Sequence, residues 1–369
     1  RLVAALGSYE QPAAIASLVR VLEDGESSTL RVHATRALGH AGVATSARPL
    51  LETLATAGDG KLRREIVSAL GQIGSPVAQE PLTRLLTATQ EPELRARVTV
   101  ALGSIGGAGA VPALIELLQD EAPAIRFFAV RGLARAEDGR AVAPLAAFYR
   151  RLTERHADAA PAEILRRPAP YLADLEMRLE IVRALTRIDP PAARDVLLDA
   201  AVPVRFARDS AAALKLNQAA YQLRRAAIFG LGYTRSAAAT RFLSSAGGAL
   251  ADRDFRIRSI AVRALGTLSR SEAVAAVLEK LDDKVAEVRW EASLVLGRFA
   301  DRQAVEPLLA RLSDPHPEVR YHAVLGLGYL GDARAAGRIE ALLESERSPK
   351  VRQAILTTLG LFGQPAVVG

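Results

Sequence analysis

The sequence contains no cysteine, one methionine, one tryptophan and only five lysines among its 48 basic residues. The absence of cysteine excludes disulfides, iron–sulfur clusters, thiolate zinc sites and thiol catalysis, and it is compatible with a reducing or an oxidising compartment. No apolar run approaches the ~18 residues that a membrane-spanning helix needs. These absences leave a chain without thiolate chemistry and without a predicted membrane span.

Charge is present but is not spread as a uniform basic coat. Half of the 369 residues are hydrophobic, 24% are charged and the net charge is +7, a composition that excludes ordinary disorder. Residues 151–250 carry 15 basic and 10 acidic groups, which is most of the excess. The strong preference for arginine over lysine is typical of a GC-rich genome. The distribution does not favour a nucleic-acid-binding surface.

A short pattern built around an arginine recurs through the whole chain. We number positions from this anchor arginine, so that +7 lies seven residues after it. Leu stands at +7 in all ten copies, and Gly follows at +8 in eight of them. The spacing is 31 to 34 residues except for two intervals of 52 and 46. The anchors are Arg31, Arg63, Arg95, Arg126, Arg178, Arg224, Arg258, Arg289, Arg320 and Arg352.

Each copy predicts a helix, because apolar residues at +3, +4 and +7 form one stripe at the 3.6-residue period. We expect Gly at +8 to adopt the left-handed conformation that ends the helix, and Ala or Gly at +6 to let a neighbouring helix approach. A proline about 14 residues before the anchor, as at Pro49, Pro81 and Pro112, predicts the first turn of a preceding helix. The unit is therefore a pair of antiparallel helices that must stack on its neighbours.

Residues 314–328 (DPHPEVRYHAVLGLG) and 257–266 (IRSIAVRALG) carry the clearest copies of this unit. They resemble HEAT repeats, specifically the short bacterial kind grouped with phycobilisome-lyase-like repeats. The resemblance implies an all-α fold, an α-α superhelix of the armadillo/HEAT type with about ten helical hairpins. We expect a single solenoid over residues 1–369. Such repeats serve scaffolds, adaptors and a few enzymes, so the resemblance does not decide the activity.

Both ends of the chain interrupt a repeat. Leu6 and Gly7 match Leu38 and Gly39 at an offset of 32, which places the first anchor before residue 1. We therefore expect a portion of a longer protein that is truncated at both termini. We expect a cytoplasmic location, and a periplasmic one stays open because the natural N-terminus is not seen.

The two long intervals predict inserted segments at about 150–176 and 199–222. Insertions in solenoids lie in loops on one face, often a binding face. The first segment contains Arg166, Arg167 and Tyr171 in a proline-rich run, which we interpret as a docking protrusion. The alternative is a helix extension with a solvated loop that has no partner.

An aspartate stands six residues before four of the anchors. We expect each carboxylate to cap the start of the second helix and to pair with its own anchor or the neighbouring one. Repetition from unit to unit favours a structural ladder over an anion-binding site. The predicted ladder residues are Arg126, Arg258, Arg289 and Arg320 with Asp120, Asp252, Asp283 and Asp314.

Further arginines stand at +5 and +9, positions that share a helix face. In HEAT-like solenoids the second helices line the concave surface, so this face predicts a groove for a protein partner with an acidic segment. The alternative is a solvated arginine face that binds nothing. The candidate residues are Arg131, Arg135, Arg183, Arg187, Arg263 and Arg298, with the aromatic residues Trp290 and Tyr321.

The predicted function is a non-enzymatic scaffold or adaptor that binds protein through the second helices and the mid-chain insertions, without a cofactor. The sequence does not predict an oligomeric state. The five histidines form no His-x-x-x-His or His-Glu motif, and the chain has no phosphate-binding loop and no Gly-x-Ser-x-Gly motif. Two alternatives stay open: a nucleic-acid-binding protein similar to the HEAT-like DNA glycosylases, and a subunit similar to chromophore lyases.

Overall fold

A computed structural model of the protein describes residues 11–25, 27–207, 210–245, 247–268 and 270–362. Leu6 and Gly7, on which the truncated first repeat was predicted, lie outside this range. The described residues form helices, short 3-10 turns and loops, with no β-strand. Tertiary contacts divide the chain into two compact units, Arg1–Asp189 and Pro190–Gly369. The single solenoid over residues 1–369 stays a prediction.

The described residues of the first unit, from Gln11 onward, form five helical hairpins. In each hairpin the anchor arginine lies in the second helix. One further short helix, α10, stands inside the fifth hairpin. The helices are α1 (Pro12–Asp24), α2 (Ser28–Ala41), α3 (Ala47–Thr56), α4 (Gly60–Ile73), α5 (Gln79–Ala88), α6 (Pro92–Ile105), α7 (Val111–Glu116), α8 (Pro123–Ala136), α9 (Val142–Glu154), α10 (Pro161–Arg166) and α11 (Pro168–Ile188).

The second unit also contains five hairpins, and its second helices are α13, α15, α17, α19 and α21. The helices are α12 (Arg194–Ala200), α13 (Ala211–Leu231), α14 (Ala237–Ser244), α15 (Phe255–Thr267), α16 (Arg270–Leu278), α17 (Ala286–Phe299), α18 (Val305–Arg311), α19 (Pro317–Leu330), α20 (Ala336–Ser345) and α21 (Pro349–Phe362). The all-α hairpin architecture predicted from the repeat is confirmed.

The helices begin where local chemistry favours a helix start. Side chains of Ser27, Asp59 and Asp254 accept backbone N–H groups in the first turns of α2, α4 and α15. Proline begins α6, α8 and α19, where the missing N–H has no intrahelical partner to lose. The prolines predicted in the first turn of the first helices also lie there, as Pro49 does in α3.

The +7 leucines form the centre of the core. Nine of the ten have no exposed surface, and the tenth, Leu359 in the last second helix, is half-buried. Each second helix packs on the second helix of the next hairpin in its own unit, and on its own first helix. The core therefore runs between the two layers of helices in each unit, and the outer surface of the second helices stays available.

The prediction that Gly at +8 adopts the left-handed conformation is wrong, and among the described helices only α13 ends at this glycine, Gly232, with φ −57°. Gly103 lies inside α6, and a Cβ built there would stand 2.9 Å from the Cα of Gly132 in α8. This glycine is needed because the backbones of adjacent second helices touch there. The left-handed residue that ends the helix stands at +11, as Gly42 (φ 67°) and Gly74 (φ 70°) show.

Most of the two inserted segments is helical. The second helices α11 and α13 have 21 residues each, whereas the others have 13 or 14. They start ten residues or more before their anchors, Arg178 and Arg224, where the other second helices start three before. The insertions thus add about two turns to α11 and α13, and the rest forms α10 and a loop before α13.

Candidate functional site

The anchor arginines of the second unit connect one hairpin to the next. Arg258 donates from Nε and Nη2 to the two carboxylate oxygens of Asp283, at 2.7 Å each, and from Nη1 to the carbonyl of Asp252 at 2.9 Å. Asp283 Oδ1 also accepts the N–H of Val285 at 2.9 Å. The side chains of this pair are only 6% and 7% exposed. Arg258 therefore links the turn before its own helix to the turn before the next one.

The same contact recurs along the unit, and we call the series the arginine ladder. The paired residues are Arg224 with Asp252, Arg289 with Asp314, Arg320 with Glu346 and, in the first unit, Arg95 with Asp120. Arg126 differs, since it donates to the carbonyls of Asp120 and Glu121.

Sequence reasoning missed Arg95, Arg224 and Glu346 as members of the ladder. The usable signal for Glu346 was its position six residues before Arg352, where other copies carry Asp.

The ladder carboxylates of the second unit have lowered pKa values although their side chains are buried. Burial by itself raises the pKa of Asp283, but the hydrogen bonds from Arg258 and the N–H of Val285 outweigh it, so the pKa lies below its ordinary value. The pKa values of Asp252 and Asp314 are lowered by the same balance. Each guanidinium is thus held by a charged partner, an arrangement suited to stabilising the stack.

The first inserted segment forms its own polar cluster. Tyr171 packs edge-on against His156 at 4.9 Å between ring centroids, and burial raises the pKa of its hydroxyl. His156 Nε2 lies 3.0 Å from Asp174 Oδ2. Arg166 and Arg167 are exposed at the junction of α10 and α11. The predicted docking run therefore offers two exposed guanidinium groups, while its tyrosine is half-buried against the histidine.

The anchor of that hairpin, Arg178 in α11, contacts an aromatic residue of α9. Its Nη2 donates to the Tyr149 hydroxyl at 2.7 Å, and its guanidinium lies 4.7 Å from the centre of that ring. Both residues are buried.

The +5 and +9 arginines of the first unit are largely engaged with neighbours. Arg183 pairs with Glu180, and Arg187 pairs with Glu137 at 2.6 Å. Arg131 lies over the ring of Phe127 at 5.7 Å. At the same face, Arg36 in α2 forms a two-bond contact with Glu65 in α4, at 2.8 and 3.0 Å.

Three arginines of this face are exposed and have no ion pair among the described residues. They are Arg131 and Arg135 in α8 and Arg298 at the end of α17. Arg263 in α15 repeats the contact of Arg36, donating to both oxygens of Glu291 at 2.9 and 2.7 Å. That hydrogen bonding raises the pKa of Arg263. The face is therefore less positive than its arginine content suggests.

Trp290 and Tyr321 lie together in the second unit. Trp290 stacks on His322 with ring centroids 4.6 Å apart, and Tyr321 meets the same imidazole edge-on at 4.9 Å. Lys350 lies 4.2 Å above the Tyr321 ring and donates to Glu318 at 2.7 Å. Three successive second helices, α17, α19 and α21, contribute to this one cluster.

Exposed aromatic residues at +5 and +9 were missed by the sequence reasoning. Phe229, Tyr233 and Tyr329 are 44%, 46% and 58% exposed. The first two contact each other at 5.1 Å between centroids. The signal was present, because these are the positions at which the arginines were singled out.

Taken together, seven of the chain's 17 Phe, Trp and Tyr residues stand at −3, +1, +5 or +9 of the second helices in the second unit. Successive positions of this set are four residues apart and share one helix face. We call this surface the aromatic face. It consists of Tyr221, Phe229, Tyr233, Phe255, Trp290, Tyr321 and Tyr329.

Metal sites and membrane-spanning helices are two further classes of feature that a chain of this kind could carry. No cluster of three or more His, Asp or Glu side chains is arranged to hold a metal ion there. Over the same residues, no helix combines the length and the apolar character needed to cross a membrane.

Comparison with protein families identifies the repeat. A profile described as HEAT repeats matches residues 15–99, 85–166, 211–292, 248–314 and 305–368. The chain belongs to the HEAT-repeat family. These matches cover both units of the HEAT-repeat protein and more than half of its length. The phycobilisome-lyase-like subtype and a bacterial origin stay predictions.

Solved structures with the same fold differ widely in sequence from this HEAT-repeat protein. One chain of the Kap95:Nup1 complex is 14% identical with a TM-score of 0.52, and the match covers 95% of this chain and 50% of that one. An engineered protein is 19% identical with a TM-score of 0.47, covering 95% and 99%. Human deoxyhypusine hydroxylase in complex with glycerol is 19% identical with a TM-score of 0.31, covering 79% and 96%.

The chain thus spans about half the length of the chain that it matches in the Kap95:Nup1 complex. A comparison with curated proteins finds no match. The likeness to the chain of the Kap95:Nup1 complex shows a helical solenoid fold and nothing about activity.

Proposed function

We propose that this HEAT-repeat protein is a non-enzymatic scaffold that binds a segment of a partner protein along the aromatic face. The observation that carries the proposal is the exposure of Phe229, Tyr233 and Tyr329 on that face. Exposure of large aromatic rings to water is unfavourable in free energy. An aromatic side chain can bury about 150–250 Å² in an interface. A few such anchors commonly supply most of the binding energy.

Two arginines near the aromatic face, Arg263 and Arg298, are placed to select the partner. Arg263 is held by Glu291, so its guanidinium is oriented before a partner arrives, whereas Arg298 is exposed at the end of the next second helix. An oriented guanidinium loses little freedom when it meets a carboxylate. Burial of the rings therefore provides affinity, and the arginines select a partner segment that carries acidic groups.

The same pairing disfavours the nucleic-acid alternative. Phosphate groups would have to displace Glu65 from Arg36 and Glu291 from Arg263 before they could use these arginines. Nucleic-acid affinity depends on neutralising many phosphates with available cations. The Kap95:Nup1 complex, as its name states, is a complex of two proteins, which supports a protein partner for this fold.

The groove arginines of the first unit remain part of the proposal. Arg131 and Arg135 are exposed on α8, and Arg183 and Arg187 are exposed on α11. We expect them to contribute to the rate and salt dependence of association more than to affinity.

Photo-crosslinking in the native host tests the aromatic face. A benzoylphenylalanine replaces Tyr233 or Tyr329 in the full chain, and the matched control carries it at Val77, which is 46% exposed away from the face. We expect one partner to crosslink at 233 and 329 and not at 77. The triple variant Phe229→Ala, Tyr233→Ala and Tyr329→Ala should release that partner with helicity unchanged. Equal crosslinking at 77, or full partner recovery by the triple variant, would contradict the proposal.

A further inference from the structure

A cavity of about 560 Å³ opens beside the second inserted segment, within the second unit. It has three walls: the loop at residues 203–206, the first half of α13, and the turn before α15. This volume lies within the range of ligand-binding pockets in proteins. The cavity exists because the insertion of this hairpin projects the loop over the first step of the arginine ladder.

The cavity holds more guanidinium groups than available carboxylates. Asp252 is engaged by Arg224 and accepts the N–H of Asp254 at 2.7 Å. Arg205 reaches the same carboxylate only at 3.5 Å, and its side chain is 57% exposed. Arg253 is exposed, and no ion pair of its side chain occurs among the described residues. Asp254, the second carboxylate of the lining, accepts the N–H of Arg256 at 2.9 Å. The cavity thus has three guanidinium groups against two carboxylates, and Arg205 and Arg253 are its exposed cations.

The other side of the cavity is apolar. Pro203 and Val204 line it, and Val204 is 40% exposed. Ile257 is buried at the cavity wall, and Tyr221 lies beside it. A ligand for this cavity therefore needs an apolar group next to an anion.

The loop that carries these residues is held in place by its backbone. Asn217 accepts the N–H of Phe206 at 2.9 Å and donates to the carbonyl of the same residue at 3.0 Å. The ring of Phe206 is itself buried. Such a clamp keeps the cavity formed before a ligand arrives, which lowers the entropy cost of binding.

The cavity is continuous with the aromatic face. Tyr221 lines the cavity and is also the first of four residues spaced four apart along α13 and just beyond it, followed by Arg225, Phe229 and Tyr233. Phe229 stands two turns further on, roughly 12 Å along the helix. A ligand that enters the cavity and follows this stripe must be extended, as a peptide is.

We propose that the cavity binds an acidic side chain of an extended peptide segment, whose carboxylate is held by Arg205 and Arg253 while a neighbouring apolar side chain packs on Val204 and Tyr221. This inference rests on the proposed scaffold function and names the chemistry of the partner. The peptide continues along α13 toward Phe229. Charge-assisted hydrogen bonds from guanidinium to carboxylate supply the selectivity.

A library of random 12-residue peptides, displayed with both ends blocked by fusion, tests the proposal against the full chain. We expect selected peptides to carry Asp or Glu beside a large apolar residue. A synthetic blocked copy of the best peptide should bind in a fluorescence anisotropy titration. Replacing its acidic residue by the amide should weaken binding about tenfold or more, the effect of losing a charged hydrogen-bonding partner.

The double variant Arg205→Glu and Arg253→Glu should weaken binding of the same peptide by at least the same factor. The matched control is Arg241→Glu, another exposed arginine of this unit, which should change binding less than twofold. Arg205 contributes only a long, exposed contact, and Arg253 accepts the ladder bond from Arg258 through its carbonyl, so both variants keep the ladder. Circular dichroism confirms the fold of each variant.

Three results would overturn the inference. The first is that the selected peptides lack acidic residues, and the second is that the double arginine variant binds the peptide unchanged. The third is that 4-phenylbutyrate binds as tightly as the peptide, which would indicate a small carboxylate ligand. If the partner still crosslinks at 233 and 329 while the arginine variant binds it normally, only the cavity inference fails. If the acidic peptide binds the cavity but no partner crosslinks along the aromatic face, the scaffold proposal fails by itself.

Discussion

Replacing Asp283 by alanine removes both carboxylate oxygens that Arg258 reaches at 2.7 Å. The guanidinium stays 6% exposed and keeps only its bonds to the carbonyls of Asp252 and Arg253, at 2.9 and 3.2 Å. Breaking one partner of a buried ion pair costs about 3–5 kcal/mol, because it leaves an uncompensated charge. That is a large part of the ~5–15 kcal/mol by which a domain is usually stable.

Urea unfolding followed by circular dichroism measures this loss. Hydrogen exchange should show that the opening begins at α15 and α17, because stability in repeat proteins is roughly a sum over neighbouring units. The double variant Arg258→Met and Asp283→Leu should recover most of the loss, since no charge is left buried. The reasoning would be refuted if the free energy of unfolding of Asp283→Ala lay within about 1 kcal/mol of the parent value. It would also be refuted if the double variant were no more stable than Asp283→Ala.

Asp332→Ala is the matched control for Asp283→Ala. Asp332 accepts the N–H of Arg334 two residues on, as Asp283 accepts that of Val285, and it also pairs with a guanidinium. The Arg334 side chain is 66% exposed, so water replaces the lost partner. We expect a much smaller loss of stability, and an equal loss in the two variants would mean that the turn bond, not the buried ion pair, is responsible.

Three further predictions concern acid, close packing and the clamped loop. The ladder carboxylates of the second unit have pKa values below their ordinary ones, so their contribution to stability is complete above about pH 5 and is lost as pH falls through the lowered values. The urea concentration at the unfolding midpoint should therefore fall between pH 7 and pH 3, and a constant midpoint would contradict this. Gly103→Ala forces a Cβ to 2.9 Å from Gly132 and should cost about 1–3 kcal/mol in urea unfolding, whereas Gly337→Ala, helical with open space around it, should be neutral or stabilising by up to ~1 kcal/mol. Asn217→Ala removes both bonds to Phe206 and should speed proteolysis of the loop at 201–207 without loss of helicity; unchanged cleavage would show that the clamp does not hold the loop.

The hairpins could be predicted because helix periodicity is a local property of the chain. Leucine at +7, as at Leu231 and Leu265, lies on the apolar stripe of its own helix and is fully buried. The role of Gly at +8 could not be predicted in the same way. Gly103 is required by the backbone of Gly132, 29 residues later, and no rule of local conformation contains that contact.

The insertions show the same limit. Their lengths are visible in the spacing of the anchors, but whether the extra residues form helix or loop depends on what they pack against. Burial of Ala213 and Leu216 shows that the added turns of α13 pack into its hairpin. The remaining loop is held by Asn217 and Phe206, a pair that no repeat pattern contains because it occurs once.

By itself, the sequence determined which residues share a helix face, because the 3.6-residue period depends only on the chain's own geometry. It thereby determined the hairpin unit, the candidate face and the approximate place of the insertions. Only the tertiary structure decided which charges meet across hairpins. Arg258 pairs with the carboxylate of Asp283, 25 residues ahead, and with the carbonyl of Asp252 behind it, while Glu291 neutralises Arg263. The physical reason is that an ion pair forms only where two neighbouring helices bring the side chains within about 4 Å, a distance that packing sets and spacing alone does not.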